Sequence, residues 1–187
     1  MANAPLDTHF LDEAIIFATR AHAGTERRGK GFPYIVHPME AVAICATITS
    51  DQELLAAAAL HDVVEDTEIG IDEIRRVFGD RVASLVHSET DTLPESASWH
   101  ERKKAAIDKL AAASRDAKIV AIGDKLSNMR AICRDWETKG DEVWKIFHES
   151  DKKEHEWHYR GLLAALDELK GTFPHDEMSR LIEIVFK

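Results

Sequence analysis

The apolar run at residues 54–60, Leu-Leu-Ala-Ala-Ala-Ala-Leu, passes without a break into His61-Asp62-Val63-Val64-Glu65-Asp66, and this junction constrains the fold more than any other segment. Leucine and alanine are strong helix formers. Ser50 is placed to cap a helix over residues 51–65, with Glu53 in the capping-box position. Such a helix suits deep burial, yet its C-terminal end carries ionisable groups. His61 and Glu65 are four residues apart, as are Asp62 and Asp66, so a continuous helix projects them as two adjacent polar stripes. Charge emerging from a core helix is costly unless it is paired or coordinates a metal.

The remaining segments also read as helices. Leu11, Ala14, Ile15 and Ala18 follow the i, i+3, i+4, i+7 spacing of a helix over residues 6–23. Residues 24–32 are rich in glycine and cationic, with Arg27, Arg28 and Lys30, and end at Pro33, which predicts a loop. Pro38 suits the first turn of a helix over 38–49, placing His37 at its entrance. Gly79 separates short helices at 71–78 and 80–89, and residues 90–97 form a Pro/Ser/Thr-bearing loop. Helices follow at 98–113 and 116–134. Leu162, Leu163, Leu166 and Leu169, then Met178, Leu181, Ile182 and Val185, repeat the helical spacing. With no strand or hairpin signal, the expected fold is all-α, a compact bundle of about 8–10 helices.

At 187 residues, the chain is expected to form a single domain over 1–187. Its 34 acidic against 24 basic side chains give a formal charge of −10, which repels nucleic acid and anionic lipid. An anionic small molecule then needs a local basic patch or a bound cation. No stretch is long and apolar enough for a membrane span, and the N-terminus lacks an export pattern, so a cytoplasmic protein is expected. Cys45 and Cys133 are far apart and read as core thiols rather than a disulfide or thiolate site.

Asp124 interrupts the apolar stretch Ile119-Val120-Ala121-Ile122, and a buried carboxylate there needs a partner. Gly123 beside it permits a close approach by another backbone or a ligand, ordinary helix packing being the commoner reason. Asn128 lies one turn further on and offers an amide on the same face. His37 is the best second imidazole. Two imidazoles and two carboxylates make a nitrogen/oxygen site suited to Mn²⁺, Fe²⁺ or Zn²⁺ over Ca²⁺ or Mg²⁺.

The order His37, His61-Asp62, Asp124 resembles the HD-domain metal phosphohydrolases, and the wider wording resembles their alarmone-hydrolase branch. Gly31-Phe32-Pro33-Tyr34-Ile35-Val36-His37-Pro38 looks like that branch's G-x-P-Y-I-x-H-P motif. His61-Asp62-Val63-Val64-Glu65-Asp66-Thr67 matches HDxxEDT, and Asp124-Lys125-Leu126-Ser127-Asn128-Met129-Arg130 matches D-[RK]-L-x-N-M-R, with Phe78-Gly79 between them. The resemblance runs over roughly residues 10–165. Too little chain follows the last motif for a synthetase domain, so the chain is similar to the small stand-alone hydrolases, including the metazoan SpoT-homologue type.

The resemblance implies one metal ion, typically Mn²⁺, on His37, His61, Asp62 and Asp124. It implies Glu65 and Asp66 as the pair that positions and deprotonates water, Arg28 packing on the base and Asn128 near base and ribose. Arg27, Lys30 and Lys125 would supply positive field, and Lys152, His155 and Tyr159 fall at i, i+3 and i+7 of a late helix that could close over phosphates. The implied reaction is hydrolysis of the 3′-pyrophosphate of (p)ppGpp to GDP or GTP and pyrophosphate, with (p)ppApp as an alternative. Relatives usually read Leu-Ala-Asp where this chain has Ile122-Gly123-Asp124, and often a hydroxyl or acid at Ala131, which leaves guanine against adenine open. The rival readings are another HD-domain phosphohydrolase acting on a nucleotide or dinucleotide phosphate, and a nucleotide-binding module without catalysis.

Overall fold

The computed structural model describes residues 7–90, 93–94 and 96–187. Its helices are α1 (His9–Ala21), α2 (Val36–Cys45), α3 (Gln52–Leu60), α4 (Val63–Asp66), α5 (Ile71–Glu89), α6 (Trp99–Ala111), α7 (Arg115–Lys139), α8 (Lys152–Ala165) and α9 (Phe173–Val185). Short 3₁₀ helices cover Gly140–Ile146 and Asp167–Leu169. Among the described residues there is no strand, only an isolated bridge between Glu26 and Pro33. The all-α expectation holds; Leu6 and part of the 90–97 loop fall outside the described residues.

Helices α3 and α7 form the centre. Every residue of α3 from Leu54 to Leu60 is buried, as are Ile119, Val120, Ala121, Ile122, Leu126 and Met129 of α7. A helix apolar on all sides must be enclosed, and α7 packs on α2, α3, α5 and α9 while α3 packs on α1, α2 and α5. Helix α6 pairs with α8. Gly79 divides α5 as expected: its φ of +87° breaks the helix and demands glycine.

Helices α2 and α7 approach closely at Gly123. A methyl group on Gly123 would sit 2.6 Å from Cys45 Sγ and 2.8 Å from the Ala41 carbonyl oxygen, so only glycine fits. The Cys45 thiol donates to the Ile119 carbonyl at 3.0 Å, and burial pushes its pKa up to about 12. Both cysteines are buried, as expected.

Two expectations are corrected at α3. Its cap is Asp51 rather than Ser50: the Asp51 carboxylate accepts from the Glu53 amide at 3.0 Å, and the Glu53 carboxylate turns to Arg81 at 2.6 Å instead of closing a box. Nor does α3 continue to Glu65. It stops at Leu60 because His61 Nδ1 donates to the Ala58 carbonyl at 2.8 Å, taking the acceptor that the Asp62 amide would use in a continuing helix. Helix α2 starts earlier than expected, so that His37 and Pro38 both lie in its first turn. The complete capping box belongs to α6, between Ser98 and Glu101.

Candidate active site

The break after Leu60 places His61 and Asp62 on a corner, facing α2 and α7. His37 comes from the first turn of α2 and Asp124 from the middle of α7, beside the glycine that lets the two helices meet. The Nε2 atoms of His37 and His61 lie 3.2 Å apart. Asp62 Oδ2 is 3.3 Å from the first and 3.0 Å from the second. Asp124 Oδ1 is 3.1 and 3.6 Å from the same two atoms.

The backs of both rings are occupied. His61 Nδ1 is on the Ala58 carbonyl, and His37 Nδ1 is 2.8 Å from Ser127 Oγ, whose hydroxyl donates to Glu40 Oε2 at 2.7 Å. A hydroxyl donating to a carboxylate accepts from the imidazole, so both rings carry hydrogen on Nδ1 and present Nε2 lone pairs to each other. Two lone pairs and two carboxylate oxygens converging in a buried place repel unless positive charge stands among them. Donors about 2.0–2.2 Å from one ion lie roughly 3.0–3.6 Å from each other, and His37 Nε2, His61 Nε2 and Asp62 Oδ2 are separated by 3.0–3.3 Å. His37, His61 and Asp62 therefore form a group able to hold a metal, and Asp124 reaches both imidazoles from α7.

Without a cation, a proton takes its place. Burial would hold the His61 imidazole neutral, but the Asp62 and Asp124 carboxylates outweigh it and push its pKa well above the ordinary range. Asp62 and Asp124 are pushed well below theirs despite burial, Asp62 by His61 and Asp124 first by Lys125. Tyr34 donates its hydroxyl to Asp62 Oδ2 at 2.7 Å, and burial beside that carboxylate raises its pKa. Lys125 Nζ bonds Asp124 Oδ2 at 2.5 Å, while Asn128 Nδ2 bonds Oδ1 at 2.5 Å.

His37, Asp62 and Asp124 of this group, though not His61 behind them, line a cavity of about 310 Å³, walled by Arg27, Tyr34, Glu65, Glu89, Trp99, Lys103, Lys125, Asn128, His158 and Tyr159 among others. Arg27 points inward, its guanidinium 5.3 Å above the Tyr34 ring and donating to Asn128 Oδ1 at 2.5 Å. Arg28 is exposed and outside the lining, and Lys30 is tied to Asp135 at 2.5 Å. Lys152 also lies outside the wall, bound to Asp141 at 3.0 Å and over the Trp136 ring. Lys125 lines the cavity but is shared between Asp124 and Glu89, 3.3 Å away. Glu65 lines the cavity from α4, whereas the neighbouring Asp66 is exposed and outside the lining.

Trp99, Lys103, Ala106 and Leu110 of α6 escaped the sequence reading, although they share one helical face at i, i+4, i+7 and i+11. Glu89, Lys109 and His158 were missed as well. Burial pushes the His158 pKa down to about 3.

A helical bundle with histidine and aspartate from three segments around one point defines a class of metal-site proteins, and comparison gives the family. The HD domain family model matches residues 14–150, and the chain belongs to the HD-domain family. It is 42% identical over 130 residues to the guanosine-3′,5′-bis(diphosphate) 3′-pyrophosphohydrolase MESH1 of Homo sapiens, covering 66% of this chain and 70% of that protein. A probable enzyme of the same description from Synechocystis is 36% identical over 64% of this chain and 16% of its own length. Among solved structures, a metazoan orthologue of SpoT described as hydrolysing ppGpp superposes with a TM-score of 0.74 at 24% identity, covering 97% of this chain and 98% of that one. The Listeria monocytogenes protein lmo0812 superposes with a TM-score of 0.72 at 30% identity, covering 80% and 98%.

Proposed function

We propose that residues 1–187 act as one metal-dependent phosphohydrolase domain that cleaves the 3′-pyrophosphate of (p)ppGpp, and of (p)ppApp where the base is adenine. The observation that carries this reading is the convergence of His37 Nε2, His61 Nε2 and Asp62 Oδ2, 3.0–3.3 Å from one another, with Asp124 Oδ1 3.1 and 3.6 Å from the two imidazole nitrogens, at a cavity that His37, Asp62 and Asp124 line. The printed activity of MESH1, at 42% identity, supports the choice of substrate. One divalent ion, Mn²⁺ in this reading, would be held by these four residues and would supply electrophilic charge at the phosphate oxygens.

The protein's own groups do the rest. Arg27 and Lys103 set positive charge along walls whose surroundings are acidic. Asn128 holds Asp124 in place and turns its carbonyl to Arg27. Glu65, with Asp66 beside it, orients a water and takes its proton. The water oxygen bonds to the phosphorus attached to the 3′ oxygen, that P–O bond breaks, and the proton held by Glu65 passes to the leaving 3′ oxygen. The products are pyrophosphate and GDP or GTP.

The test is incubation of Mn²⁺-loaded protein with ppGpp, ppApp and a panel of nucleotide and dinucleotide phosphates, with separate assays for pyrophosphate and orthophosphate. Pyrophosphate release from an alarmone is the expected result. Orthophosphate from another nucleotide replaces the substrate, and no turnover by metal-loaded protein makes the chain a binding module.

A further inference from the structure

Behind His37, away from the cavity, a line of hydrogen bonds runs to the opposite helix. Ser127 Oγ donates to Glu40 Oε2 at 2.7 Å, and Arg130 Nη1 reaches Glu40 Oε1 at 3.2 Å. Arg130 is itself clamped by Glu177 of α9, Nε to Oε1 at 2.8 Å and Nη2 to Oε2 at 2.7 Å. Ser127 is 2% exposed and His37 4%. Neither Glu40, Ser127, Arg130 nor Glu177 lines the cavity.

A neutral imidazole has two tautomers, and only one leaves Nε2 a lone pair for an ion. A serine hydroxyl alone does not choose between them, because it can donate or accept. A carboxylate can only accept. Once Glu40 takes the Ser127 hydrogen, the hydroxyl has only lone pairs left for His37, and the ring hydrogen must sit on Nδ1. The guanidinium of Arg130 keeps Glu40 aimed, and the bidentate Glu177 contact keeps Arg130 in its plane.

We propose that Ser127 and Glu40 are positioning residues that fix the ring and tautomer of His37 and thereby set the affinity of the site for a divalent ion. The inference rests on reading His37 as a ligand, and it extends the site from the cavity floor to α9. A carboxylate acting through a hydroxyl on a ligand imidazole also raises the basicity of the ligating nitrogen. A role in packing alone would lower stability and leave metal affinity where it was.

The experiment measures Mn²⁺ binding by electron paramagnetic resonance or calorimetry, with no nucleotide present, so that an error in the substrate does not touch the result. Ser127→Ala should weaken Mn²⁺ binding about 10- to 100-fold, the span seen when outer partners of ligand histidines are removed. Glu40→Gln should weaken it in the same direction, and Ser127→Thr, which keeps the hydroxyl, should return it to within a few-fold of the original. Should Ser127→Ala fail to fold, Glu40→Gln at its quarter-exposed position decides the question. Affinity within twofold of the original in the folded variants overturns the inference. Absence of Mn²⁺ binding by the unaltered protein overturns it together with the ligand reading, whichever nucleotide is hydrolysed.

Discussion

The Nε2 atoms of His37 and His61 face each other across 3.2 Å, with the Nδ1 hydrogens of both rings engaged on Ser127 and on the Ala58 carbonyl. A cation among them must displace the proton that Asp62 and Asp124 otherwise hold on His61. Metal uptake should therefore release protons and weaken as pH falls, which calorimetry in buffers of different ionisation enthalpy will detect. Asp124→Ala should abolish uptake, and retention of stoichiometric metal by that variant would remove Asp124 from the ligand set.

Glu65 is assigned proton transfer rather than metal binding. Glu65→Gln should keep the metal and lower kcat by about 10²- to 10⁴-fold, with little change in KM. Elemental analysis beside single-turnover kinetics checks both halves, and unchanged turnover transfers the role elsewhere.

Arg27 and Arg28 are adjacent in sequence and opposite in placement: the first lines the cavity and the second is exposed outside it. Arg27→Ala should raise KM at least tenfold, the order lost with one charge-assisted contact of about 1.5–3 kcal/mol. Arg28→Ala should change it much less. Equal losses would restore the base-packing role implied for Arg28.

At Gly123, alanine would overpack α2 against α7, costing about 1–3 kcal/mol and parting His37 from Asp124. Adding Cys45→Ala should recover only part of that loss, because the Ala41 carbonyl still stands 2.8 Å from the new methyl group. Thermal melts of the single and double variants read the outcome directly.

Acid should destabilise the fold well before its carboxylates titrate. Burial lowers the pKa values of His22, His155 and His158, the last to about 3 from an ordinary 6.5. Below about 6.5 the unfolded chain takes up protons that the folded one refuses, so stability falls by up to about 1.4 kcal/mol per pH unit for each. His61, whose pKa is raised, contributes in full below that point and loses its contribution only as pH rises. The depressed Asp62 and Asp124 lose theirs only below about 4. His158→Phe should flatten the slope between pH 4 and 6.5 in chemical denaturation; an unaltered slope excludes His158 as a source.

Much of this was legible in the chain. The helical period at Leu11 to Ala18 and at Met178 to Val185, the break at Gly79, and the anomaly of Asp124 inside an apolar stretch each have a local cause that sequence displays. The end of α3 was not legible, because His61 competes for a backbone acceptor and periodicity carries no sign of that bond. Nor could spacing separate Arg27 from Arg28. Their directions follow from the turn in which the Arg27 amide donates to the Phe32 carbonyl and the Tyr34 amide to Thr25. Trp99 and Lys103 look like an ordinary amphipathic face until α8 is laid against α6.

Helix α7 has no idle side along its first half, since one stretch of backbone serves as pillar of the interior and as floor of the cavity. Variation that retunes the ligand has little room there, because a change suited to one duty disturbs the other. Divergence in base or phosphate preference should accumulate instead on the Arg27 loop and the inward face of α6, which can alter without loosening the bundle.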